Sequence, residues 1–140
     1  MKVSEIMTKN PITVDPEASA MDVARKMQEE KVGTVLVADR DHLEGIVIDR
    51  QIATKVVAAG KDPARTKVSE FMTRDPVTAS PDMQLEDVSR MIGENKCRRI
   101  PIVESGRLMG IVSSADIAAH ARECDVCINN ILDEVAKAEK

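Results

Sequence analysis

Apolar positions along the chain follow two alternating periods. Ala20, Val23, Ala24 and Met27 fall at helical spacing, with Asp22, Arg25, Lys26, Gln28 and Glu29 between and around them, which predicts an amphipathic helix with one face on a core. Leu85, Val88 and Ile92 repeat that pattern. Each helix is followed by a β-rich run, Thr34-Val35-Leu36-Val37 or Ile100-Pro101-Ile102-Val103. A polar turn comes next, Asp39 to His42 or Glu104-Ser105-Gly106-Arg107, then a second run ending at Val47 or Val112. Two strands around a short turn read as a hairpin. In the first half Ile52, Val56 and Val57 predict the inner face of a further helix, stopped by Gly60. Short strands at Ile12-Thr13-Val14 and Val77-Thr78-Ala79 complete two β-α-β-β-α units, an α+β layered architecture.

The two halves are copies of one another. Lys2-Val3-Ser4-Glu5-Ile6-Met7-Thr8-Lys9-Asn10-Pro11-Ile12-Thr13 returns 65 residues later as Lys67-Val68-Ser69-Glu70-Phe71-Met72-Thr73-Arg74-Asp75-Pro76-Val77-Thr78. Held without a gap, the offset pairs Leu43 with Leu108, Gly45-Ile46-Val47 with Gly110-Ile111-Val112 and Ile52 with Ile117, and 20 of 52 aligned positions are identical. The organisation is therefore a first repeat at residues 1–60, a linker at 61–66 around Pro63, a second repeat at 67–123 and a C-terminal helical extension at 124–140. Each repeat is too small to bury its own apolar face well, so the halves are expected to pack together about a pseudo-two-fold axis.

Composition narrows the function. At 140 residues, with 43% hydrophobic and 31% charged residues, the chain can build a core without disulfide or metal staples. No apolar run approaches the roughly 18 residues that span a bilayer, and the start carries no secretory pattern, so a cytoplasmic protein is expected. A net charge of -4 opposes the phosphate attraction on which nonspecific nucleic-acid binders rely. With no Trp or Tyr and only Phe71, the chain also offers no stacking platform for single strands. Cys97, Cys124 and Cys127 are an odd number and are expected as free thiols.

The motifs and their duplication resemble a tandem pair of cystathionine-β-synthase (CBS) domains, a Bateman module, over nearly all of residues 1–120. The resemblance rests on the two Met-Thr-x-x-Pro heads (Met7 to Pro11, Met72 to Pro76), on Arg99-Ile100-Pro101-Ile102-Val103 and on Gly110-Ile111-Val112-Ser113-Ser114-Ala115-Asp116-Ile117. It implies a regulatory module rather than an enzyme, one that binds AMP, ADP or ATP, alternatively S-adenosylmethionine or NAD, in clefts between the halves. It also implies a homodimer that answers to an unidentified target protein. No cofactor is required and no catalytic residue is expected: His42 and His120 are isolated, and no nucleophile, base or paired-carboxylate pattern is identifiable. The rival reading is a ligand-free scaffold for protein association.

Candidate ligand residues cluster in the second copy. Ser113 and Asp116 close an apolar run and open a helical pattern, where a hydroxyl and a carboxylate can hydrogen-bond ribose hydroxyls and phosphate. The same Ser-x-x-Asp spacing is that of a helix-capping box, and both roles can coexist. Arg98 and Arg99 are candidate phosphate clamps or plain surface charges, the resemblance favouring Arg99. Thr78 lines the nucleoside cleft in similar proteins. In the first copy the corresponding positions hold Ile48, Gln51, Gly33 and Thr34. That cleft is therefore expected to be weak or empty, with Asp49 capping the helix.

Beyond Ala118, residues Ile117, Ala121, Cys124, Ile128, Ile131 and Val135 alternate at spacings of four and three, a narrow seam that predicts an extension of the last helix. This helix is expected at the dimer contact or on the first repeat. Cys124-x-x-Cys127 with His120 upstream lacks a full metal-ligand set, so core or seam cysteines are the better reading and no metal is expected.

Overall fold

The computed structural model describes residues 1–120 and 124–138. In chain order the elements are β1 (Thr8–Lys9), β2 (Thr13–Val14), α1 (Ala20–Glu30), β3 (Thr34–Asp39), β4 (His42–Ile48) and α2 (Asp49–Ile52), the last continued by a π-helical turn at Ala53–Val57. They continue with β5 (Thr73–Arg74), α3 (Leu85–Asn95), β6 (Arg99–Glu104), β7 (Arg107–Ser113), α4 (Ser114–Ala118) and α5 (Asp125–Ala138). Two compact units result, one of Met1–Pro11 with Val77–Lys140, the other of Ile12–Pro76. The units cross the repeat boundary: the Met-Thr-x-x-Pro head of each copy belongs to the sheet of the other copy.

In the unit of Ile12–Pro76, β2 runs parallel to β3, β3 and β4 form the antiparallel hairpin, and β5 closes the far edge against Gly45 and Ile46. In the other unit Ala79 makes a parallel bridge to Ile102, β6 and β7 form the hairpin, and β1 closes the edge against Gly110 and Ile111. The glycine of each Gly-Ile-Val run makes room for the incoming head. A Cβ on Gly45 would stand 2.6 Å from Met72 Sδ and 2.8 Å from the Thr73 carbonyl oxygen, and one on Gly110 2.7 Å from the Thr8 carbonyl oxygen. The second hairpin turns through Ser105 and Gly106, both at positive φ, a geometry that matches strand twist.

Ala20, Val23 and Met27 of α1 meet Val35, Val37, Val47, Val56, Phe71 and Met72 in one core. Leu85, Val88 and Ile92 of α3 meet Ile100, Ile102, Val112 and Ile117 in the other. Ala24 is exposed, lying beyond the edge of the stripe that Ala20, Val23 and Met27 define. Val57 is also exposed, at 66%. The chain there winds with i to i+5 hydrogen bonds, Ala58 N to Ala53 O and Lys61 N to Val56 O, and the wider turn carries Val57 off the face that 3.6-residue spacing assigns it. Gly60 does end this segment, at φ 71°.

The tail departs from expectation in its helix boundaries, its seam, its packing partner and its cysteines. Helix α4 stops at Ala118 and α5 starts anew at Asp125, so the last helix is not simply extended. Because the phase is not continuous, the buried seam runs through Cys124, Cys127, Ile131 and Glu134, while Ile128 is half-buried and Val135 exposed; Ala121 lies outside the described residues. Finally, α5 packs on α3 and α4 of the second repeat. A Cβ on Gly93 of α3 would lie 2.8 Å from the Asn130 carbonyl oxygen, and Asn130 Nδ2 donates to Ser89 Oγ at 3.0 Å. Cys124 and Cys127, expected as free thiols, are joined as a disulfide, and Cys97 is the free cysteine. The closing geometry is local: the spacing straddles the start of a helix and brings residues i and i+3 together.

Candidate functional site

Four of the five candidate residues gather where β6 begins and β7 ends. Arg99 and Ser113 are cross-strand partners in register, so their side chains leave the same face of the sheet. The Ser114 N–H donates to the Arg98 carbonyl oxygen at 2.8 Å, which fixes the start of α4 against the residue ahead of β6. Thr78 is exposed and immediately precedes Ala79, whose N–H donates to the Pro101 carbonyl oxygen at 3.1 Å. All five therefore belong to one compact unit.

Ser113 is in extended conformation, and its Oγ accepts from the Asp116 N–H at 3.1 Å, while Asp116 Oδ2 accepts from the Ser113 N–H at 2.9 Å. This is a complete capping box. Both side chains are half-buried. The box leaves the Ser113 hydroxyl proton to donate and Asp116 Oδ1 without a partner among the described residues. His120 Nδ1 lies 2.9 Å from the Asp116 carbonyl oxygen, which ties the end of α4 back to its first turn.

The matching corner of the first copy is built differently. The N-cap of α2 is Ile48, not Asp49. Asp49 Oδ1 accepts from the Arg50 N–H at 2.8 Å, and a Cβ on Gly33 would lie 3.1 Å from Asp49 Oδ2. The capping role falls to Gln51, whose Oε1 accepts from the Ile48 N–H at 2.9 Å. Its Nε2 donates to Thr73 Oγ1 at 3.0 Å and to the Phe71 carbonyl oxygen at 3.3 Å. Both ends of the Gln51 amide are thus spent inside the unit.

Arg98 faces elsewhere. Its Nε stands 3.7 Å from Glu134 Oε1 of α5; the Arg98 side chain is 68% exposed and that of Glu134 is 2% exposed. Glu134 Oε2 is buried without a hydrogen-bond partner. Burial also pushes the half-buried Cys97 thiol above its ordinary pKa, with Glu134 adding to the effect, so Cys97 is a poor nucleophile at neutral pH. Sequence reasoning missed the capping role of Gln51 and the contact made by Glu134. A glutamine three residues after an N-cap is a recognisable capping signal, whereas nothing local marks Glu134 as a partner of Arg98.

A duplicated β-α-β-β-α unit, with exchanged heads and a short capped helix after the second hairpin strand, defines a tandem CBS protein. The chain belongs to the CBS-domain family, whose sequence profile matches residues 3–58 and 68–123. It is 36% identical over 118 residues to the CBS domain-containing protein YhcV of Bacillus subtilis, covering 84% of each chain. Its structure is similar to that of Hypoxic Response Protein I with two coordinated zinc ions, at TM-score 0.79 and 29% identity over 86% of this chain and 98% of that one. It is also similar to the CBS domain protein TA0289 of Thermoplasma acidophilum, at TM-score 0.81 and 25% identity over 97% of this chain and 76% of that one. Among the described residues no group of three or more His, Cys, Asp and Glu side chains is placed to hold a metal ion. No described helix is long and apolar enough to cross a membrane.

Proposed function

We propose that this protein is a non-catalytic regulatory module that binds an adenosine-containing nucleotide at the corner formed by Arg99, Ser113 and Asp116, and passes ligand state to a partner protein. The observation that carries this reading is the difference between Asp116, which keeps a free carboxylate oxygen after capping α4, and Gln51, whose polar atoms are consumed within its own unit. Asp116 Oδ1 suits two vicinal ribose hydroxyls, Ser113 Oγ–H can donate to a ligand oxygen, and the Arg99 guanidinium supplies a cation for phosphate. Thr78, just ahead of the bridge from Ala79 to Ile102 of β6, belongs to the same unit. The family resemblance favours Arg99 over Arg98 as the phosphate cation. AMP, ADP and ATP fit this chemistry, with S-adenosylmethionine and NAD as alternatives sharing the ribose.

The chain has no Trp or Tyr, so a retained nucleotide dominates its near-ultraviolet spectrum. Isothermal titration of the purified full chain with AMP, ADP, ATP, S-adenosylmethionine and NAD is expected to give saturable binding of at least one. No heat from any of them at millimolar concentration transfers the protein to the scaffold class. Pairing into a homodimer is part of the same proposal, and the exposed Val126, Leu132 and Val135 of α5 offer apolar surface for it. Sedimentation as a monomer at micromolar concentration, with and without nucleotide, removes the pairing claim.

A further inference from the structure

From the placement of Cys124 and Cys127 we infer a thiol–disulfide exchange site that controls the docking of α5, a role independent of nucleotide binding. Cys124 immediately precedes α5 and Cys127 is its third residue, and the two are disulfide-bonded. Cys124 is 5% exposed and Cys127 fully buried in the core shared with Ile92, Ile102 and Ile131. Both cysteines are buried, Cys124 marginally less so and at the N-terminal edge of α5, so an incoming thiolate reaches Cys124 first when the helix start opens, and helix N–H groups favour the thiolate released there.

The exchange balances with an external dithiol as the reductant. One thiolate of the dithiol attacks Cys124 Sγ, the Sγ–Sγ bond breaks, and Cys127 leaves as thiolate and takes up a proton. The second thiolate of the dithiol then attacks its own sulfur in the mixed disulfide, releasing Cys124, which is protonated in turn. Two electrons and two protons pass to the protein, and the dithiol leaves as its cyclic disulfide. Cys97 packs at the edge of the same core, but burial holds it as the neutral thiol, so it does not compete as attacking group.

Redox state matters here because the disulfide occupies two of the buried positions through which α5 docks. Among the described side chains the buried positions of the seam are Cys124, Cys127, Ile131 and Glu134; two form the disulfide and one is a carboxylate with an unpartnered oxygen, beside Ile131 and the half-buried Ile128 as aliphatic contacts. The disulfide closes the first turn of α5 in both the docked and the undocked chain, so its reduction frees that turn and shifts the helix toward the undocked state. Such a bond persists in an oxidising compartment and is transient in a thiol-rich one.

The test uses the full chain before and after dithiothreitol, with maleimide labelling after denaturation and hydrogen exchange of the native protein. One labelled cysteine before reduction and three after, restored to one by glutathione disulfide, together with amide exchange in 125–138 faster by at least about tenfold in the reduced form, are the expected results. Exchange in α5 that is unchanged by reduction, or three free thiols in protein kept under oxidised glutathione, overturns the proposal. Cys124→Ser with Cys127→Ser is expected to exchange like the reduced form whatever the redox buffer. If that variant misfolds, the comparison of the two wild-type states still decides.

Discussion

Gln51 and Asp116 occupy the same position in the two repeats and each accepts the N–H of the residue three before it, Ile48 at 2.9 Å and Ser113 at 2.9 Å. The amide then reaches on to Phe71 and Thr73, while the carboxylate does not. One position therefore serves as an internal strap in the first copy and as an open acceptor in the second.

Gln51→Ala removes the cap bond to Ile48 and the two hydrogen bonds that tie α2 to Phe71 and Thr73, and is expected to lower unfolding free energy by about 1–3 kcal/mol. Urea denaturation measures the loss. Nucleotide affinity is expected to stay within about twofold, because Gln51 lies in the other unit.

Gly110→Ala places a methyl 2.7 Å from the Thr8 carbonyl oxygen and 2.9 Å from Met7 Sδ. Backbone must yield, so a loss of about 1–3 kcal/mol is expected in the same denaturation experiment, with Gly45→Ala similar. A neutral result would mean that the head strands are not held against the hairpins as described.

Glu134→Met is expected to stabilise the protein by about 1 kcal/mol or more in thermal or urea unfolding. The substitution removes a buried carboxylate whose Oε2 has no partner, and Arg98, mostly exposed, recovers water in exchange. Destabilisation would show that the Arg98–Glu134 pair outweighs the desolvation of its carboxylate.

Cys97 gives a pH signature. Its folded thiol titrates above the ordinary cysteine value because burial disfavours the thiolate, so at alkaline pH the unfolded chain loses this proton first. The folded state then binds more protons than the unfolded one, and stability falls as pH rises from the ordinary thiol pKa of roughly 8.5–9 toward the raised folded value; below that window the group contributes nothing. Cys97→Ala is expected to flatten this part of the profile. An identical alkaline slope in wild type and variant would contradict the assignment.

Much of the fold was legible because periodicity and duplication are local properties: α1, α3, both hairpins and the stop at Gly60 follow from spacing and turn chemistry. The exchange of the Met-Thr-x-x-Pro heads was not, since strands of two residues such as β1 and β5 carry no period, and only Gly45 and Gly110 hint at a close approach. Val57 misled because a π-helical turn changes the period without changing composition. The tail seam shifted because one period was run through a break between α4 and α5. At the site, Ser113 and Asp116 were readable as a spacing and Arg99 by its place before an apolar strand. The pairing of Arg98 with Glu134 is a contact 36 residues apart in sequence, for which no local pattern exists.

The most direct measurement is the affinity of Asp116→Asn for whichever nucleotide the wild type binds, compared with that of Gln51→Ala. Asparagine keeps an oxygen to accept the Ser113 N–H, so the cap and melting temperature are expected to survive while the charge facing the ribose is lost. A drop of at least about tenfold for Asp116→Asn, with Gln51→Ala unchanged, is the predicted result. Unaltered affinity in a folded Asp116→Asn protein, or equal losses from both substitutions, would contradict a nucleotide site built on the second repeat.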